Sequence, residues 1–274
     1  MKLTVDKIIV TVCAVCCLHF PSGAQFETKL SELKVKGNVK EIQDTEYQVI
    51  DNNYLNLKEE RMVMLSFDKK GNKTEEKYLS PEKKIIYSSE IKYATSGKLL
   101  EETVNCFGFG KDFKKTYHVE SKKITVHTVY ENEDAGVKHY SEYALNPDGA
   151  VAKRTDWLGN DKIMEIKYTY SKGLLQTETN QTAENTLRFK YEYNKKGEPV
   201  KKSEMATDGK IVYSVAYTYD SRGNVLSETS SYTGEEKTVI TYKYVYDSKG
   251  NWTEKQEKMN NNLFSLTKRN ITYY

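Results

Sequence analysis

Hydrophobic and polar residues alternate with period two along most of this chain, the pattern of strands with one covered face. Ile211, Tyr213, Val215, Tyr217 and Tyr219 share one side, as do Leu187, Phe189, Tyr191 and Tyr193. Met164, Ile166, Tyr168 and Tyr170 repeat the pattern, and so do Ile240, Tyr242, Tyr244 and Tyr246. The positions between them are mostly Lys, Arg, Glu, Thr and Ser. The intervening strands are more polar, and Thr253 to Lys258 is polar on both faces. Phe26 to Val35 is the one stretch with a trace of helical period.

The strands are punctuated by a recurring turn. An aromatic residue, a short polar stretch and a glycine give Phe67-Asp68-Lys69-Lys70-Gly71, Tyr193-Asn194-Lys195-Lys196-Gly197 and Tyr219-Asp220-Ser221-Arg222-Gly223. The glycines stand at 71, 97, 149, 173, 197, 223 and 250, and a glycine-free turn at Lys122-Lys123 fills the double gap. The period is about 24 to 27 residues, the mark of a repeat architecture. Asp220 followed by two helical-region residues and Gly223 predicts a type I turn closed by a left-handed glycine. A second, more variable set of turns lies between, near Pro81-Glu82, Gly108-Phe109-Gly110, Asp134-Ala135-Gly136, Asp208-Gly209 and Asn260-Asn261.

Each repeat is therefore a hairpin. With a first hairpin of Val39 to Ile50 against Leu57 to Phe67, the chain is expected to be all-β: a long antiparallel up-and-down meander of roughly eighteen strands, curled or superhelical. The tyrosine face turns inward, because so large an apolar patch would otherwise drive association. Tyr217 and Tyr244 are then expected to be more buried than Thr218 and Lys243.

The turn carries a resemblance. Tyr219-Asp220-Ser221-Arg222-Gly223-Asn224 and Tyr246-Asp247-Ser248-Lys249-Gly250-Asn251 look like the turns of the YD-repeat (Rhs-like) exported proteins of bacteria. Leu33-Lys34-Val35-Lys36-Gly37-Asn38-Val39 resembles the lead-in strand of small members without a toxin domain. The resemblance implies an extracellular binding or shell-like role. Four copies depart from it at the Asp position, which holds Ala94, Ala144, Ser171 or Asn194.

Composition sharpens this picture. The chain has 274 residues with 22 Tyr against 8 Phe, so its sheet faces are only half dry. Lys and Arg number 42 and Asp and Glu 39, a net charge of +3, which argues against nucleic acid as a partner. The N-terminus reads as an address. Lys2 and Lys7 precede an apolar run from Ile8 to Leu18 and then Ser22-Gly23-Ala24, a signal peptide over 1–24 cleaved before Gln25. Lipidation at Cys16 or Cys17 is the alternative. A lead-in segment over 25–38 and one repeat domain over 39–274 follow. The mature chain keeps only Cys106, which leaves no intramolecular disulfide and no Cys-based zinc site. The protein is thus expected to be exported, to the periplasm or cell surface.

Candidate chemistry is sparse. There is no Gly-x-Ser-x-Gly elbow, and Gly108-Phe109-Gly110 reads as a turn. His118 and His127 would oppose each other if the hairpin turned at Lys122-Lys123, but two imidazoles make a weak metal site. No catalytic residue, metal or cofactor is expected. Trp157 and Trp252 are the side chains best suited to stack on a ligand, and Tyr217 and Tyr244 complete the candidate binding set. The two tryptophans belong to opposite turn sets and should not share a site. The leading reading is a non-enzymatic binding or scaffold protein of the bacterial envelope, with a glycan or another envelope protein as partner. A carbohydrate-active enzyme and an outer-membrane β-barrel are the alternatives. The chain is expected not to be membrane-spanning, because Thr253 to Lys258 offers no apolar face to lipid.

Overall fold

The computed structural model describes residues 33–107, 111–131 and 138–274. The signal and lipidation readings, most of the helical trace at Phe26 to Val35, and the turns at Gly108-Phe109-Gly110 and Asp134-Ala135-Gly136 lie outside the described residues.

The described residues form a single antiparallel sheet of eighteen strands. The first six are β1 (Val39–Val49), β2 (Leu57–Phe67), β3 (Lys73–Leu79), β4 (Ile85–Tyr93), β5 (Leu99–Asn105) and β6 (Phe113–Val119). Then come β7 (Lys123–Tyr130), β8 (His139–Leu145), β9 (Val151–Leu158), β10 (Asp161–Ser171), β11 (Leu174–Gln181) and β12 (Thr186–Tyr193). The last are β13 (Pro199–Met205), β14 (Ile211–Tyr219), β15 (Val225–Tyr232), β16 (Thr238–Tyr246), β17 (Trp252–Met259) and β18 (Asn262–Tyr273). A 3-10 turn at Ile50–Asn52 joins β1 to β2.

Every strand pairs with its neighbours in sequence, and β18 pairs with β1 from Val39↔Tyr273 to Gln48↔Ser265. The meander is therefore a closed barrel. The expected curl goes all the way round, and no edge is left unpaired. Among the described residues, the substantial backbone contacts between strands run between adjacent strands and across the β1–β18 seam. Closed barrels of this strand number leave a channel.

The turns explain the shared register. Gly223 and Gly250 have φ of +83° and +80°, the left-handed conformation that a β-carbon makes costly. In the turn at 220–224, the Asp220 N–H donates to the Asn224 carbonyl at 2.8 Å and the Gly223 N–H to the Asp220 carbonyl at 3.1 Å. A bulge follows between Thr218 and Tyr219, and its equivalent recurs in β4–β5, β10–β11, β12–β13 and β16–β17. Turns of this kind set the same register, and the β10–β11 turn, Lys172-Gly173 between Ser171 and Leu174, is shorter by one residue. Hairpins that lead from an even-numbered to an odd-numbered strand all turn at one end of the barrel, here the tight-turn end.

The face assignment follows the tyrosines. Tyr217 is 6% exposed and Tyr244 half-buried, whereas Thr218 and Lys243 are exposed. Small and aliphatic residues such as Val104, Val151, Leu175 and Val215 are buried on the same inner face. Near the seam Val39, Ile42 and Phe67 form an inner apolar cluster with Leu65, Ile271 and Tyr273. Leu33 and Val35, just ahead of β1, pack against it, so the 33–38 segment lies across the inside of the tight-turn mouth.

Closure corrects the expectation that the chain is not membrane-spanning. That expectation rested on Thr253 to Lys258, yet this stretch lies in β17, paired on both sides within a barrel that has no free edge. A closed barrel with every strand paired is the form in which strands can cross a bilayer.

Candidate functional site

On the strands that leave the glycine turns, residues at one offset from the turn glycine reach one level of the inner wall. Five residues beyond the glycine stand Glu76, Glu102, Arg154, Glu178, Lys202, Glu228 and Lys255. All face inward. Tyrosines oppose five of them: Tyr143↔Arg154, Tyr168↔Glu178, Tyr191↔Lys202, Tyr217↔Glu228 and Tyr244↔Lys255. The wall is thus a belt of phenol rings interleaved with charges of both signs.

The belt is internally bonded. Tyr78, Tyr117, Tyr191 and Tyr242 donate their hydroxyls to Glu76 (2.8 Å), Glu102 (3.0 Å), Glu178 (2.9 Å) and Glu228 (3.0 Å). Each donor but Tyr78 sits on the strand that follows its glutamate, so the bonds stitch successive repeats together. Lys115 reaches Glu102 at 2.9 Å, and the Lys202 ammonium lies 4.4 Å from the Phe189 ring centre. Hydrogen bonding to a carboxylate explains why the wall uses Tyr where Phe would fill the same space.

Beside the seam the charges pair as forks. Arg269 donates to Asp44 through Nε at 2.7 Å and through a terminal nitrogen at 2.5 Å. Arg61 contacts Glu46 in the same way at 2.7 and 3.2 Å. Two bidentate pairs therefore hold β1, one to each neighbour. Sequence reasoning passed over all four residues. The usable signal was charge at positions of the inward parity, 44 and 46 beside Ile42.

Two of the candidate residues meet on the wall and two do not. Trp252 lies inside, with Tyr244 at 6.3 Å and the Arg269 guanidinium stacked 3.5 Å from its ring centre. The Tyr244 hydroxyl donates to the Val225 carbonyl at 2.9 Å. Tyr217 is on the same wall two strands away, with its ring buried. Trp157 is on the outer face, stacked on Tyr140 at 5.8 Å and 10°. The tryptophans are separate, as expected, but by the thickness of the wall as well as by its height.

The histidine pairing needs correction. His118 faces Thr125 and His127 faces Thr116, because the hairpin turns one residue earlier, with the Glu120 N–H donating to the Lys123 carbonyl. The two rings meet diagonally, edge to face at 5.4 Å, and continue an outer aromatic row through Tyr140 to Trp157. Among the described residues no group of three or more His, Cys, Asp or Glu could hold a metal ion.

Turn carboxylates carry the clearest electrostatic signature. Partial burial pushes the Asp220 carboxyl up, but hydrogen bonds from Tyr246, Asn224 and the turn amides outweigh it and hold it below the usual aspartate value. Asp68 behaves alike, held low against burial by Asn72 and Lys70.

No protein-family model matches the chain, and no curated protein matches it. Among solved structures it is similar to a porin-like protein from Bacteroides uniformis, 11% identical, over 87% of this chain and 98% of that one, with a TM-score of 0.45. A porin-like protein from Bacteroides vulgatus is 10% identical over 84% and 97%, with a TM-score of 0.40. A chain of the TcdB2-TccC3-Cdc42 structure is 12% identical over 82% of this chain and 19% of its own, with a TM-score of 0.29.

Proposed function

We propose that this chain is an exported β-barrel protein of the bacterial envelope, without catalytic activity, whose inner wall of tyrosine and paired charge lines a polar channel. The observation that carries the reading is closure through β18 and β1. It moves the barrel ahead of the open binding scaffold that the repeats suggested. The charged, apolar and small-residue pattern of the first 24 residues supports export. The inward glutamates are bonded to tyrosine and lysine, which fits a wall better than an acid–base pair. Cell fractionation tests the proposal. Mature protein beginning at Gln25 in the envelope supports it; protein in the cytoplasm with its N-terminal segment retained contradicts it.

Closure also favours the outer membrane as the place within the envelope, and the outward side chains set the terms of that reading. A lipid-facing belt is about 25 Å tall and apolar at outward positions. Here outward and exposed positions include Glu90, Lys114, Lys167, Lys190 and Lys243. A lysine at the bilayer midplane costs about 2–4 kcal/mol. Alkaline extraction separates the cases: a barrel that crosses the bilayer stays in the pellet until detergent is added, and one held at its surface is released.

A further inference from the structure

The 33–38 segment and the last residues of β18 meet at the tight-turn mouth. The β1–β18 ladder starts at Val39↔Tyr273, and the Tyr274 N–H extends it by donating to the Asn38 carbonyl at 3.0 Å. Ahead of Asn38 the chain leaves the ladder and runs back along the inside of the mouth. Asn251, in the β16–β17 turn, accepts the Lys36 N–H at 2.7 Å and donates to the Lys36 carbonyl at 3.0 Å. The same side-chain amide donates to the Tyr273 hydroxyl at 2.9 Å. The Lys34 ammonium reaches the Gly223 carbonyl, in the β14–β15 turn, at 2.7 Å. Leu33 and Val35 pack on Val39, Ile42 and Phe67, the cluster that Ile271 and Tyr273 of β18 also cover.

The backbone is shaped for this course. Gly37 has φ of +99°, and a β-carbon there would lie 2.8 Å from the Tyr273 ring. Lys34 has φ of +53°, the left-handed conformation that is costly for a residue with a β-carbon. Such a conformation persists where the surroundings fix it. The seam needs such support more than any other pairing. Among the described strands, β1–β18 is the one pairing with no turn to join its two members.

We propose that the 33–38 segment is a latch on the seam. Docked, it ties β1 to the β14–β15 and β16–β17 turns on the other side of β18, so that latch docking and seam pairing stabilise each other. Covalent continuity is the first argument. Lys36 stands three residues ahead of β1, so a docked latch keeps β1 beside β18 at high effective concentration. Sequence separation is the second. Closing a loop of such length has the largest entropic cost in the sheet. The latch adds contacts of like span to it, 215 positions for Lys36 with Asn251 and 189 for Lys34 with Gly223. The third argument is what an open seam would expose. Parting β1 from β18 frees two strand edges, each a template for another chain. The latch thus keeps the sheet closed on itself.

Hydrogen exchange of the folded chain, read by mass spectrometry, tests the latch. Lys34→Met is the decisive variant, because the bond it loses lies on the β14–β15 turn and on neither strand of the seam. In that variant the amides of β1 and β18 should exchange roughly three- to tenfold faster than in the parent. Those of β6 to β9, across the barrel, should keep the parent rate. Lys34→Arg retains a donor for the Gly223 carbonyl and should restore slow exchange at the seam. Seam exchange at the parent rate in Lys34→Met would overturn the proposal. So would an equal acceleration in β6 to β9, which would make Lys34 a general stabiliser of the fold and not part of a latch.

Discussion

Arg269 and Asp44 stand directly opposite one another across the strand pair that closes the barrel, 225 positions apart in the chain. Their fork faces inward, 9% and 16% exposed, and the guanidinium also covers Trp252. The pairing that closes the barrel is thus marked by charge complementarity, as is its neighbour β1–β2 through Arg61 and Glu46.

Replacing Arg269 with Ala should cost about 3 kcal/mol, because it leaves a carboxylate inside the wall without its cation. The double change Arg269→Met with Asp44→Leu should cost less. Urea unfolding measures both, and Trp252 fluorescence should shift in the single variant. A loss within the error of the fit would show that the pair does not hold the seam.

The turn glycines should differ in a graded way. Gly97 has φ of +82° and open space around a would-be β-carbon, so Gly97→Ala should cost about 1–2 kcal/mol from conformation alone. At Gly223 the new carbon would meet the Glu198 carboxylate at 2.9 Å and the Lys34 ammonium at 3.1 Å, and that ammonium donates to the Gly223 carbonyl at 2.7 Å. Gly223→Ala should therefore cost about 1 kcal/mol more. Equal midpoints in denaturation would deny the Glu198 and Lys34 contacts at this turn.

The hairpin plan, the strand number and the inner tyrosine face were legible because they are local. Alternation sets a face, and Asp-x-x-Gly-Asn sets a turn and, through it, a register. Closure was not legible, since nothing in Val39–Val49 or Asn262–Tyr273 names the other as partner. The wall beside the seam was hidden for a related reason. Asp44, Glu46, Arg61 and Arg269 read singly as solvated charges, and only the closed sheet brings them into pairs. The His118–His127 register failed on one residue of a turn without glycine. Trp157 faces outward by its parity with inward Arg154, whereas Trp252 faces inward only because the bulge opposite Val245 and Tyr246 shifts the parity set by Lys255.

Acid should weaken the turns. A carboxyl held low in the fold is ionised there at pH values where the unfolded chain is already protonated. The stability from Asp68 and Asp220 is therefore complete above the ordinary aspartate value of 3.8 and is lost as pH falls through their lower folded values. Unfolding followed from neutral pH to pH of about 2 should show a steep acid limb, shallower in Asp220→Asn. An unchanged limb in that variant would place the acid sensitivity elsewhere.

The backbone of the 33–38 segment should depend on the Asn251 side chain to stay at the mouth. Asn251 accepts the Lys36 N–H at 2.7 Å and donates to the Lys36 carbonyl at 3.0 Å, as a neighbouring strand would. In Asn251→Ala, trypsin should cut after Lys34 and Lys36 roughly tenfold faster than in the parent chain, with the barrel intact. Cleavage at the parent rate would mean that Leu33, Val35 and the Lys34 bond to the Gly223 carbonyl suffice to hold the segment.

Closure itself is best tested across the seam. Gln43 pairs with Asn270 on the face opposite Asp44 and Arg269, and antiparallel partners lie within disulfide reach. In a chain with Cys106→Ser, the pair Gln43→Cys and Asn270→Cys should oxidise to an intramolecular disulfide in the folded monomer, seen as a loss of two hydrogens in the intact mass and faster migration without reductant. Free thiols, or dimers linked between chains through exposed β1 and β18 edges, would contradict the closed barrel.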